Sequence, residues 1–113
     1  VPVFKDSIPF VYLKYRNIHT RFSNTNDSAE IKKTNEILSK QEIKKLIEFC
    51  HELHMDYGEL DVLRDNENGK IYVVDANHCP SGPPNHLFYF AKIKSLKLLS
   101  KCFNAKFGNS ASF

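Results

Sequence analysis

The chain has 113 residues, a length that suits one domain or one lobe of a larger domain. Its 42% hydrophobic residues, with nine Phe and five Tyr, supply a core, yet no apolar run approaches the roughly 20 residues a membrane helix needs. A net charge of +3 is only mildly basic, weak as a sign of nucleic-acid binding and equally suited to a site for polyphosphate or another anion.

Three cysteines, Cys50, Cys79 and Cys102, are an odd number at unrelated spacings. This argues against a disulfide scaffold and for a reducing, cytoplasmic setting. The start carries no signal-peptide pattern. Because the chain begins at Val1 and its one Met is Met55, it is expected to be a piece of a longer polypeptide.

In chain order, residues 9–16 (PFVYLKYR) alternate, which predicts a half-buried strand. Val11, Leu13 and Tyr15 form the expected inner face, and Phe10, Tyr12, Lys14 and Arg16 the other. His19 and Arg21 follow in a possible second strand, NIHTRF. These cations are either a solvated basic face or an anion site. Residues 23–36 (SNTNDSAEIKKTNE) have almost no apolar anchor and read as a mobile loop.

Ser39 and Glu42 have the spacing of a capping box, so a helix is expected to start there. Ile43, Leu46, Ile47, Cys50 and Leu53 recur along one face. Cys50 on that stripe reads as a small buried hydrophobe rather than a nucleophile. His51 and His54 sit at the helix end, where a cation suits the macrodipole; as a metal pair they lack partners.

The stretch GELDVLRDNENGKIYVVDANHCPSGPP is the most informative. Residues 59–65 and 70–77 alternate as two strands around Glu67-Asn68-Gly69, with Gly69 expected in the left-handed conformation. This register pairs Asp61 with Asp75 and Glu59 with Asn77, and puts Leu60, Val62, Tyr72, Val74 and Ala76 on the opposite, core face. Carboxylates directly opposed on neighbouring strands repel. A hard divalent cation between Asp61 and Asp75, with Asn77 as a further oxygen ligand, offsets that repulsion. The other reading is a solvated acidic face that discourages edge pairing. His78 and Cys79 are adjacent and lack an orienting third group for catalysis. His78, Cys79 and His86 lack the usual zinc spacing. A last helix is expected from Asn85 to Phe103, its wide apolar face packed on the hairpin and its lysines outward.

With its strand, helix, acidic strand, GK-containing turn, DAN strand and Pro/Gly loop in that order, the run from Asp56 to Pro84 resembles the C-terminal half of ATP-grasp proteins. The resemblance is looser over residues 9–22 and 40–55. It implies an α+β fold, an antiparallel β-sheet packed against two helices, forming the C-terminal lobe of an ATP-grasp domain. It also implies two Mg2+ ions and ATP as cofactors, with Asp61, Asp75 and Asn77 as metal ligands. Lys14, Arg16 and Arg21 are the implied phosphate-binding residues, with Arg16 the catalytic candidate, and Ser81-Gly82 lies near the acceptor. The implied activity is a ligase that activates a small carboxylate substrate as an acylphosphate for attack by an amine or thiol. No membrane or nucleic-acid partner is expected.

The chain departs from that family in two ways. Many members carry an arginine two residues before the first metal acid, where Glu59 stands here. The N-terminal lobe and the lid over adenine have no counterpart in these residues, so a missing N-terminal part or a partner subunit is implied. A non-catalytic binding module that keeps the fold, and a carboxylate-metal phosphodiesterase, are the alternatives.

Overall fold

The computed structural model describes residues 1–15, 28–80, 82–85 and 87–108. Its elements are β1 (Pro2–Phe4), β2 (Val11–Tyr15), β3 (Ser28–Lys32), α1 (Thr34–Ile37), α2 (Lys40–Glu52), β4 (Tyr57–Arg64), β5 (Ile71–Asn77) and α3 (Tyr89–Phe107). One antiparallel sheet has the order β1-β4-β5, and a second pairs β2 with β3. The fold is thus α+β, with α2 and α3 the two substantial helices.

The central strand β4 exists because its alternate residues reach an apolar core. Leu60 is fully buried there with Val3 from β1, Leu46 and Cys50 from α2, and Met55. Burying a side chain of this size contributes about 1.5–3 kcal/mol. Ser39 caps α2 as its spacing requires: its hydroxyl accepts from Glu42 N at 3.1 Å, and Glu42 Oε1 accepts from Ser39 N at 2.9 Å. Cys50 packs as a hydrophobe, and its burial pushes the thiol pKa up. After α2 the chain turns through His54, whose φ of 54° is in the left-handed region.

Part of the expected loop over residues 23–36 is ordered structure. Ser28–Lys32 pair with β2 in the register Val11↔Lys32 to Tyr15↔Ser28, and Thr34–Ile37 form a short helix. The strand is legible only through its partner: Ala29 and Ile31 cover β2 while Ser28, Glu30 and Lys32 dilute the apolar signal. Residues 23–27, and the expected strand NIHTRF, lie outside the described residues.

Both faces of β2 are interior at its start. Val11 enters the first core, while Phe10 and Tyr12 join Ala29 and Leu87 in a second core under α3. The face expected to meet solvent is therefore covered, and Tyr15, expected inside, is exposed.

Helix α3 begins at Tyr89, four residues later than the periodicity suggests. Pro83 and Pro84 hold the chain in a turn closed by Leu87 N on Pro84 O at 3.1 Å, so the helical ladder starts beyond them. Its wide apolar face is only partly used. Ser95 is fully buried and Ala91, Leu98 and Leu99 pack inward, whereas Phe90 remains 82% exposed. Helix α3 lies mainly against β1 and β3, and it meets the hairpin at Tyr57, the first residue of β4. Its C-terminal end is fixed by Lys106 Nζ on Asp6 Oδ1 at 2.7 Å and by Phe103, which meets Phe4 and Tyr57 edge to face.

Candidate functional site

The β4–β5 hairpin closes through a side-chain-assisted turn. Asp65 Oδ1 accepts from Glu67 N at 2.7 Å, Gly69 N donates to Asp65 O at 2.9 Å, and Gly69 has φ of 71°. A Cβ there would be strained by that φ, which explains glycine at the position. The strands then pair Asp61 with Asp75 and Glu59 with Asn77, the register that the hydrophobic pattern predicts.

Beyond Asp61 the pattern breaks. Val62 pairs with Val73, so Val74 is an extra residue in β5, a bulge. The bulge reverses the alternation toward the turn. Ile71 and Val73 reach the core with Ala76, whereas Tyr72 and Val74, expected on the core face, stand 49% and 58% exposed. Leu63, paired with Tyr72, is 60% exposed beside them. The acidic face therefore continues into an exposed apolar strip.

The front of that face meets β2. Lys14 Nζ lies 3.6 Å from Glu59 Oε1 and 3.9 Å from Asp61 Oδ1. The cation expected to approach phosphate is thus already beside the carboxylates. Arg16 and Arg21 lie outside the described residues, as does Ser81. Asn77 shares the face of Asp75, and its Oδ1 accepts from Cys79 N at 2.9 Å, which fixes the start of the Pro/Gly loop. Neighbouring Cβ atoms across such strand pairs stand about 5 Å apart. The two opposed carboxylates, with the Asn77 amide oxygen one diagonal step away on the same face, are oxygen ligands of the kind a hard divalent cation takes.

Among the described residues, no three His, Cys, Asp or Glu side chains gather as a metal group. The oxygen set therefore depends on Asn77 as its third member. Cys79 is exposed and free, Cys50 and Cys102 are also free, and His86 lies outside the described residues.

Two contributors escape sequence reasoning. Arg64, at the end of β4, donates to both Glu42 oxygens at 2.9 and 3.0 Å, to Gly69 O at 2.7 Å and to Ile37 O at 2.7 Å. It ties the hairpin turn, the α2 cap and the end of α1 together. Its hydrogen bonds, with that from Ser39 N, hold the Glu42 carboxyl down at about 2. The second is Tyr12, expected as part of a basic outer face and found buried with Phe10, Ala29 and Leu87. Only the alternation around Tyr12 was legible, because the helix that covers it begins far along the chain, at Tyr89.

Comparison with known proteins finds no match to a family model, to a curated protein or to a solved structure.

Proposed function

We propose that this chain is the MgATP-binding lobe of an ATP-grasp-like ligase. The observation that carries the reading is the in-register opposition of Asp61 and Asp75 on one face, with Asn77 beside them and Lys14 in front. Two carboxylates facing each other across a strand pair repel, and a cation between them offsets that cost. The antiparallel sheet backed by α2 suits the lobe that the resemblance implies. The exposed strip of Leu63, Tyr72 and Val74 next to the acids offers an apolar bed of the kind a nucleotide base covers.

In this reading Asp61, Asp75 and Asn77 hold Mg2+, which when bound neutralises phosphate charge and aligns the transfer. Lys14 swings its ammonium from Asp61 to a phosphate oxygen, a small movement for a four-carbon stem. Arg16 and Arg21 supply further charge for the transferring phosphoryl group. The terminal phosphoryl of ATP passes to a substrate carboxylate oxygen, and its bond to the bridging oxygen of ADP breaks. The nucleophile then bonds to the acyl carbon, phosphate leaves with the carboxylate oxygen, and the nucleophile's proton goes to solvent.

The engagement of Lys14 by Glu59 and Asp61 favours one second reading, a module that binds MgATP without transferring phosphate. Titration calorimetry separates the possibilities. Saturable MgATP binding, weakened about tenfold by Lys14→Gln, is expected for either. Release of ADP in the presence of a carboxylate and an amine, once an ATP-grasp N-terminal lobe is supplied, is expected only for the ligase. Absence of MgATP binding removes both.

A further inference from the structure

Helix α3 carries apolar side chains on two sides, and the fold uses one of them. Ala91, Leu98 and Leu99 pack inward around the buried Ser95. Tyr89, Ile93 and Leu96 follow one another at helical spacing on a different line, where Tyr89 is 71% and Leu96 52% exposed. At the start of the helix Phe88 and Phe90 are each 82% exposed, and the rings of Tyr89 and Phe90 meet at 5.7 Å. Three successive aromatic residues in water form a contiguous apolar patch, and such patches on a folded surface mark interaction or membrane sites.

The charge on this part of the chain has one sign. From Ala76 onward there is no Asp or Glu, whereas Lys92, Lys94, Lys97, Lys101 and Lys106 all lie on α3. Lys106 is held by Asp6, and Glu30 of the neighbouring β3 is paired with Lys32 at 3.4 Å. Lys94, Lys97 and Lys101 are exposed and follow Phe90 at helical spacing, so a basic line runs beside the apolar line of Tyr89, Ile93 and Leu96. Lys92 flanks the apolar line on its other side. The modest net charge of +3 hides this segregation, because every acidic residue precedes Ala76.

These features select a fluid, anionic partner. A protein groove grips a helix through anchors three or four residues apart on one face. Phe88, Tyr89 and Phe90 are consecutive and diverge, so one rigid groove does not take all three. A lipid interface closes around diverging side chains, and its headgroups receive the ammonium groups at the ends of the lysine stems. Lysines without acidic neighbours along the helix favour anionic headgroups and oppose a second copy of α3, whose own lysines would face them. The contact is along the surface, since no helix among the described residues is long and apolar enough to cross a membrane.

We propose that the N-terminal half of α3 docks the chain on an anionic lipid surface. Phe88, Tyr89 and Phe90 sit at the boundary between headgroups and acyl chains, and Lys94, Lys97 and Lys101 lie on the headgroups. This docking goes beyond the ligation reading and does not rest on it, since neither nucleotide nor metal enters the contact.

The test is co-sedimentation of the chain with lipid vesicles, in the absence of ATP and Mg2+. Mixed phosphatidylserine–phosphatidylcholine vesicles are expected to bind it at least about tenfold more tightly than phosphatidylcholine alone, and added salt to weaken that binding. Phe90→Ser weakens binding about tenfold and Lys94→Gln about fivefold. Both keep a native circular dichroism spectrum, because the two side chains stand outside the core. No binding to the mixed vesicles overturns the proposal. So does equal binding to phosphatidylcholine alone, or undiminished binding in Phe90→Ser. A concentration-dependent dimer that Phe90→Ser dissolves, or tighter binding to a single-stranded oligonucleotide than to vesicles, overturns it too, since either gives the patch another occupant. The MgATP titration is read without vesicles, so the two proposals fail separately.

Discussion

Replacing Asp75 with Asn removes one charge from a pair that faces another carboxylate, while keeping the side chain's shape. Asp61 retains its contact with Lys14 at 3.9 Å, and among the described residues Asp75 has no ion-pair partner to lose. Two unit charges about 5 Å apart repel by ~0.8 kcal/mol in water, and screening at ordinary salt reduces this to about 0.5 kcal/mol. Asp75→Asn is therefore expected to stabilise the metal-free chain by about 0.5 kcal/mol, raising Tm by about 2–4 °C for a domain of this size. The gain should shrink as salt rises. With millimolar Mg2+ the order should reverse, since only the native chain gains from binding. Thermal unfolding followed by circular dichroism, with and without Mg2+, reads both effects. A loss of stability without metal, or a gain independent of Mg2+, would refute the claim that Asp61 and Asp75 are held together for a cation.

Two further substitutions test the frame that presents the acids. Arg64→Ala removes the contacts to Glu42, Gly69 and Ile37 and should cost about 2 kcal/mol near neutral pH in a denaturant titration. Glu42 has its folded pKa depressed from 4.5 to about 2, so its contribution is present above about 4.5 and lost as pH falls through about 2. The difference between native and Arg64→Ala chains should accordingly narrow on acidification, and a gap that is constant down to pH 2 would contradict it. Gly58→Ala would put a Cβ 2.7 Å from Asn77 O and 2.5 Å from Met55 Sδ, and should destabilise by about 1–3 kcal/mol. Unchanged stability there would mean that β4 and β5 do not approach as closely at Asn77.

What the sequence makes legible is what local chemistry decides. Ser39 and Glu42 cap α2 through contacts three residues apart, and the alternation of Leu60 and Ala76 sets the register that brings Asp61 to Asp75. The bulge at Val74 was not legible, because no glycine marks it and Val suits either face of a strand. Its consequence, the exposure of Tyr72 and Val74, changes what a ligand at the acids would touch. Lys14 was legible as a cation near an anion site, but not as the partner of Glu59 and Asp61, which depends on how two separate sheets meet. Residues 28–32 were hidden for the same reason. A polar strand is specified by its neighbour, and only β2 supplies that. Helix α3 shows the converse, since its apolar content announces a helix while saying little about which side finds a partner.

The most direct measurement is the residue-by-residue broadening of backbone amide signals by substoichiometric Mn2+, chased with Mg2+. Selective loss of signal around residues 59–62 and 74–78, restored by excess Mg2+ and absent in Asp75→Asn, is the expected result. Broadening centred instead on other acidic residues, such as Glu48 and Glu52 of α2, or undiminished in Asp75→Asn, would contradict a metal site on the β4–β5 hairpin.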